Sequence, residues 1–450
     1  MDYNKPLDLL HLAKEAVWVK KINTARGDGS ICSWASSFHP ERLPCRLDGG
    51  FMNGSYNVGQ RIVFDEGTTW FLRLPRASSV SPEYADEKVA MEVGALLLIQ
   101  EKTSIPVPEI HAWGLAGKTR LGGDSRLLKQ EISDADIEYV YRQMAHFMLQ
   151  LFKLDLKHIG DLPTPKTRFP APSRPLTWKG HEILRLGGVK TFDDSVHGFS
   201  STMQYFGYVN SQDERQLRLQ PNSIAGPRSA KSRYSALNVL KSLIPELTHT
   251  TYDCGPFKLI WDDFGLANVI VRGKDDLTIT GVVDLEWVYA GPAQLFGSAP
   301  WWLLLERPVN DEWDFEQVEA PKATGRYFRC LEIFIRVLEE EARMSGNGQR
   351  ELTELVKWSR DTGAMWLHML LSSGFFDTLT FPCMQLRKHK GEQWWDERIN
   401  DLAAYDVVRD KVDHYKALID SGEMTAEDFI STYPLFSDLM WHGSDTTAKG

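Results

Sequence analysis

Apolar residues recur along this 450-residue chain in two rhythms, one of helices and one of strands. Near the start, Leu7, Leu10, Leu12, Ala16 and Val17 predict an amphipathic helix, followed by a mixed polar stretch. From Arg46 to Val58 the residues turn strand-like, and Gly49, Gly50 and Gly54 read as the turn of a β-hairpin. Two further strands, Arg61 to Phe64 and Thr68 to Leu74, are joined by a tight Asp65-Glu66-Gly67 turn. Pro82 to Gln100 predicts a helix, with apolar positions at Val89, Val93, Leu96 and Leu97. The prolines of Ile105 to Ile110 end that helix. A short strand, Leu127 to Ile132, and a polar turn over 133–136 lead into a helix from Glu138 to Phe152.

Proline is dense from Asp161 to Arg174, which predicts loop, and the pattern is mixed as far as Arg228. A helix is expected from Ser232 to Ile244. Two apolar runs, Leu259 to Val271 and Ile279 to Asp284, then read as strand, turn and strand. Helices follow at Phe328 to Arg343, Glu351 to Ser373 and Asp396 to Ser421, and a polar tail closes the chain from Ser444 to Gly450. No internal repeat is visible. Strands with one helix, then a mostly helical remainder, predict an α+β fold of two unequal lobes. The expected boundaries are a helical extension over 1–44, a small lobe over 45–132 and a large lobe over 133–450.

Composition narrows the function classes. A net charge of −10 without a long basic run disfavours a nucleic-acid or anionic-membrane partner. The most apolar segments, Gly94 to Ile99 and Trp301 to Leu305, are far too short to span a bilayer. Five scattered cysteines form no C-x-x-C pair, which argues against a zinc knuckle or a disulfide framework. Met1 to Lys20 shows no secretory signal, so a reducing cytoplasm is the expected location.

The candidate chemistry lies in the second pair of apolar runs. Asn268 follows Asp263 by five residues, and Asp284 ends the next strand-like run. Phosphoryl transfer needs a carboxylate beside the acceptor hydroxyl and hard oxygen ligands for magnesium. It also needs a backbone turn against the phosphates and a cation on them. Asp263 fits the first role, and Asn268 and Asp284 the second. Gly50, Asn53, Gly54 and Ser55 supply a candidate phosphate turn, Arg73 the cation, and Glu92 its partner. Asp263-Phe264-Gly265 also spells the magnesium-binding triplet of protein kinases. On that reading the base lies upstream with an Asn five further on; the only nearby Asp is Asp253, and position 258 is Lys.

These residues resemble the aminoglycoside phosphotransferase and choline kinase family of the protein kinase-like superfamily. The chain is most similar to a fungal branch of uncharacterised phosphotransferases whose loop runs like W-C-D-D-F-R-P-x-N. The resemblance spans roughly residues 45 to 420. Its carriers are Gly49 to Ser55, Phe71 to Arg76, Glu92, Thr103 to Pro108, Trp261 to Asn268, Val283 to Trp287 and Ala299 to Glu306. It implies a small antiparallel sheet lobe, a hinge near Gln130 to Ile132 and a large α-rich lobe. It further implies ATP and Mg2+ as cofactors, with adenine against the backbone of Glu131 and Ile132. In the family the loop begins H-G-D, where Trp261 and Asp262 stand here; a second His is usual where Gly265 stands, and Arg73 replaces a Lys.

The resulting expectation is an ATP- and magnesium-dependent kinase acting on a hydroxyl of a small metabolite. Asp262, Glu286, Trp287, Trp301, Trp302 and Glu306 are candidate acceptor contacts; core packing is the competing role for the tryptophans. A second reading is a nucleotide- or partner-binding pseudokinase, motivated by the absent loop His and an unusual hinge. A third, transfer to protein, is disfavoured because no A-P-E segment follows Asp284. Oligomeric state is not legible.

Overall fold

Alternation along the first sheet sets its two faces. Val58, Gln60, Ile62 and Phe64 are buried, while Arg61 between them is exposed. A computed structural model describes residues 5–76, 79–111, 132–162, 174–192, 197–220, 223–224, 227–273, 275–304, 320–345, 350–372, 380–401 and 406–420. Strands β1 (Cys45–Asn53), β2 (Asn57–Phe64) and β3 (Thr69–Pro75) form an antiparallel meander in that order. The glycine pair is not the hairpin turn. Gly49, at φ +70°, and Gly50 lie inside β1, where the register slips between Asp48 and Met52. Two glycines suit a bulge as well as a turn, because both require backbone freedom. The turn itself is Gly54 to Tyr56, closed by Gly54 N donating to Asn57 O at 2.9 Å. The next turn falls where expected, with Gly67 at φ +93°.

Helices α1 (Lys5–Gly27) and α2 (Ser30–Phe38) precede the sheet, and α3 (Ala85–Lys102) follows it. The segment after α3 pairs with the large lobe through Val282 N and Pro106 O, 2.7 Å apart. The expected strand over 127–131, the polar tail and the proline-dense 163–173 lie outside the described residues. Helix α4 (Asp134–Phe152) starts earlier than its apolar spacing implies. Ser133 Oγ accepts from Asp136 N at 3.1 Å, so the polar 133–136 stretch is a cap and first turn.

Two antiparallel ribbons carry the middle of the large lobe. β4 (Lys258–Trp261) pairs with β7 (Val288–Gly291), and β5 (Val269–Gly273) pairs with β6 (Asp276–Val282). Trp261 faces Val288 and Val269 faces Val282, so loops 262–268 and 283–287 leave the ribbons at a common point. Around them lie α5 (Trp178–Gly187), α6 (Thr202–Leu219), α7 (Pro227–Leu243) and α8 (Ala293–Phe296). Helices α9 (Ala320–Met344), α10 (Arg350–Asp361), α11 (Ala364–Ser372), α12 (Phe381–Lys390), α13 (Glu392–Asp401) and α14 (Asp406–Asp420) complete the lobe. The single helix expected over 351–373 is two. Gly363, at φ +76°, ends the first with a conformation that side-chain-bearing residues avoid. Of the expected 396–421 helix, 396–401 lie in α13 and 406–420 in α14, and 402–405 lie outside the described residues.

One apolar core joins α3, α4, α6, α7, the β4–β7 ribbon and α9 to α12, with Tyr141, Phe206, Leu259 and Phe334 fully buried. A smaller cluster of Tyr84, Leu176, Phe192 and Trp287 lies where the lobes meet. Among the described residues no helix is long and apolar enough to cross a membrane.

The lobe junction also holds buried charge. Arg174 donates to both oxygens of Glu87 on α3, at 2.9 Å for Nη2. Asp161 lies beside this pair and accepts from Leu176 N at 3.3 Å. Burial, reinforced by the Glu87 carboxylate, pushes the Asp161 carboxyl up to about 9. A free Asp titrates near ~4. The folded state therefore holds an extra proton between these values, and the stability it contributes in acid is lost as pH rises towards about 9. Asp161→Asn keeps an acceptor for Leu176 and removes the titration. Its melting temperature is expected to match wild type near about pH 5 and to exceed it near about pH 8.5. Parallel melting curves across that range would contradict the assignment.

Candidate active site

Loop 262–268 is shaped by a short helical turn, Leu266–Asn268, that brings Asn268 back onto Asp263. Asn268 Nδ2 donates to the Asp263 backbone carbonyl at 2.8 Å and to Asp263 Oδ2 at 3.0 Å. The five-residue spacing thus acts as a clamp on an exposed carboxylate. Val283 N donates to Asn268 O at 2.9 Å, which sets the Asp284 loop directly against it.

Asp284 adopts φ +66°, a left-handed conformation that Asp tolerates better than most residues. Its backbone carbonyl accepts from Trp261 Nε1 at 3.0 Å. The residue standing where the family has a loop His therefore still braces the loop, through an indole N–H. Gly265, where the family's second His is usual, has no room for a side chain: a Cβ there would lie 2.9 Å from Trp302 Cβ and 3.3 Å from the Trp301 ring.

Arg73 joins the two lobes. Its Nη1 donates to Glu92 Oε1 at 2.5 Å, and its Nη2 donates to Asp284 Oδ1 at 2.7 Å and Glu286 Oε1 at 2.8 Å. Burial opposes its charge, but Glu92, Asp284 and Glu286 more than offset this and hold the guanidinium above its usual range. Glu286 is only 3% exposed. Burial and the neighbouring carboxylates push it upwards, while Lys88 and Arg73 favour its ionised form. Lys88, also 3% exposed, sits 2.9 Å from Glu286 Oε2. Both Glu286 oxygens are thus taken by protein cations, which moves this residue from the expected acceptor contacts to the support of Arg73.

The expected turn residues Asn53, Gly54 and Ser55 are exposed at the β1–β2 tip, whereas Gly50 lies back along β1. Tyr56 anchors the tip: its hydroxyl donates to Glu182 Oε1 at 3.0 Å and accepts from Trp178 Nε1 at 2.6 Å. On the sheet face that carries Arg73, Gly59 lies opposite Arg73 and is covered by the ring of Phe71, which is itself 55% exposed. Neither Tyr56 nor Lys88 stands out in the sequence, where each reads as an ordinary turn or helix residue, and Phe71 enters only within the Phe71 to Arg76 stretch.

The remaining candidates divide by burial. Trp287, at φ +59°, is 3% exposed and packs on His181 and Tyr56 at centroid distances of 4.8 and 5.4 Å. Trp302 is buried against Tyr141, Phe264 and Phe334. Burial gives both a packing role, whereas Trp301 is only partly buried. Asp262 lines a small cavity with Tyr205, Tyr289, Thr177 and Ser372, and its charge helps hold Tyr205 above the usual tyrosine range, after burial. Ile132 packs partly buried against the core. Glu131 and Glu306 lie outside the described residues.

Among the described residues no group of three His, Cys, Asp or Glu side chains could hold a metal alone. Magnesium in a nucleotide site does not need one, since one or two hard oxygens plus the phosphates suffice. The Asn268 amide oxygen and the Asp284 carboxylate, on loops joined by the bond from Val283 N to Asn268 O, are donors of that kind.

The profile of the APH family, described as the phosphotransferase enzyme family, matches residues 48–295. The chain belongs to this family. The match covers the β1–β2 turn, Arg73, Glu92, both loops and the β7 strand. No curated protein matches the chain significantly. Among solved structures the chain is similar to an ethanolamine kinase of Plasmodium vivax, at 11% identity and a TM-score of 0.41, over 84% of this chain and 87% of that one. A macrolide 2'-phosphotransferase of Brachybacterium faecium gives 15% and 0.33, over 83% and 97%. A microcompartment-associated aminopropanol kinase gives 13% and 0.37, over 87% and 98%. Likeness this distant says nothing of an acceptor for this member of the phosphotransferase enzyme family.

Proposed function

We propose that the protein transfers the γ-phosphoryl group of ATP to a hydroxyl of a small molecule. The observation that carries this reading is the clamp of Asn268 on Asp263 beside an Asp284 already paired with a lobe-bridging Arg73. Asp263 presents an exposed carboxylate able to orient the acceptor hydroxyl and take its proton. Asn268 would serve twice: its amide N–H groups fix Asp263, and its amide oxygen would hold magnesium together with the Asp284 carboxylate. When bound there, magnesium neutralises charge building on the phosphates. Arg73, held by Glu92 on one side, offers a permanent cation on the cleft face of β3. The exposed β1–β2 tip, residues 53–55, would lie against the phosphates. Phe71, exposed on the Arg73 face, offers a flat apolar surface to a nucleotide base.

The test is ADP release over a panel of small alcohols, amino alcohols and sugars. Magnesium-dependent ADP formation that rises with one class of acceptor is expected. ADP formation that no acceptor stimulates would contradict transfer to a small-molecule hydroxyl.

A further inference from the structure

On α3, Lys88 lies one helical turn before Glu92, on the same face. It is nonetheless 3% exposed, where lysine is rarely found without a partner. Its ammonium meets Glu286 Oε2 at 2.9 Å, and the other oxygen of that carboxylate accepts from Arg73 at 2.8 Å. Arg73 returns to Glu92 at 2.5 Å. Lys88, Glu286, Arg73 and Glu92 therefore form a ring that begins and ends on α3, passing through the Asp284 loop and β3.

The same ammonium lies 5.7 Å from the centre of the Tyr56 ring and 5.4 Å from that of Trp287. Tyr56 ends the β1–β2 turn, and Trp287 closes the loop that carries Asp284. A cation over two aromatic rings draws both towards it. Lys88 thus sits between the phosphate turn and the metal loop, and it touches the support of the nucleotide cation as well. Arg73 already has Glu92 and Asp284 to balance its charge. A third carboxylate, pinned from behind by a second buried cation, adds a fixed direction for the guanidinium.

We infer that Lys88 is a positioning residue: through Glu286 it fixes the Arg73 guanidinium where ATP phosphates meet it, and through Tyr56 and Trp287 it sets the β1–β2 turn against the Asp284 loop. This rests on the phosphotransferase reading above. Lys88 itself need not touch ATP.

The test is calorimetric titration of ATP with magnesium into wild type, Lys88→Met and Lys88→Arg, each with its melting curve. Lys88→Met is expected to weaken ATP binding about tenfold, and Lys88→Arg to recover most of it. Should Lys88→Met not fold, Lys88→Met/Glu286→Gln removes both buried charges together and avoids an unpaired carboxylate. Its ATP affinity is expected to fall to a similar extent, because the neutral amide at position 286 is no longer held from behind. A lower melting temperature with unchanged ATP affinity in either variant would overturn the inference and leave the phosphotransferase reading standing. Wild type that binds no ATP would overturn both.

Discussion

Asp263→Asn is expected to lower turnover about 1,000-fold while ATP affinity stays within about twofold of wild type. The substitution keeps size and shape, and the new amide oxygen can still accept from Asn268 Nδ2, now 3.0 Å from Asp263 Oδ2. What it removes is the carboxylate's ability to take a proton. Its exposure makes Asp263 accessible to an acceptor, and no core packing depends on it. Initial rates with a responsive acceptor, beside ATP titrations, separate the two effects. A tenfold or greater loss of ATP affinity with little change in turnover would move Asp263 from the acceptor side to the nucleotide side.

Asp284→Asn is expected to lower kcat/KM by about 100-fold or more and to raise the magnesium concentration needed for half-maximal rate. Asn tolerates the φ of +66° seen at this position, so the backbone is preserved. The Trp261 bond to the backbone carbonyl at 3.0 Å does not involve the side chain and survives. Charge is what changes: the metal position loses its carboxylate, and Arg73 keeps only Glu92 and Glu286 as anionic partners. A variant with a normal magnesium requirement would show that Asp284 serves only to hold Arg73.

Much of the site was legible because its residues are tied by fixed short-range geometry. Asn268 reaches Asp263 only through one helical turn, so their five-residue spacing carries structural content. Arg73 and Glu92 were legible from chain order alone, a strand followed by a helix, and their side chains meet at 2.5 Å. Lys88 was not legible. A lysine on a helix reads as solvated, and only the approach of Glu286, far along the chain, makes it internal.

The fold was misread where polar residues do the packing. Helices α5 and α6 were hidden in a mixed pattern because their inward faces carry Lys179, His181, Glu182 and Arg185, and Asn210, Gln212, Asp213 and Gln216. Several of these groups pair with one another: Lys179 meets Asp213 at 2.5 Å, and Arg185 meets Glu182 at 2.9 Å. A search for apolar periodicity cannot see such a face. The glycines of β1 were misplaced for another reason, since a bulge and a turn ask the same freedom of the backbone. The missing family His looked like a loss in the sequence, yet Trp261 supplies a bond to the same loop from its ring nitrogen.

The central claim is that Asp263, Asn268, Asp284 and Arg73 form one phosphoryl-transfer centre. The most direct measurement is mass spectrometry of reaction mixtures holding ATP, magnesium and the panel of small hydroxyl compounds, with wild type and Asp263→Asn in parallel. A product about 80 Da heavier than one acceptor, present with wild type and absent with the variant, is the predicted result. Equal product from both proteins would contradict the assignment of Asp263. ATP binding by wild type with no phosphorylated product from any acceptor would contradict small-molecule transfer itself.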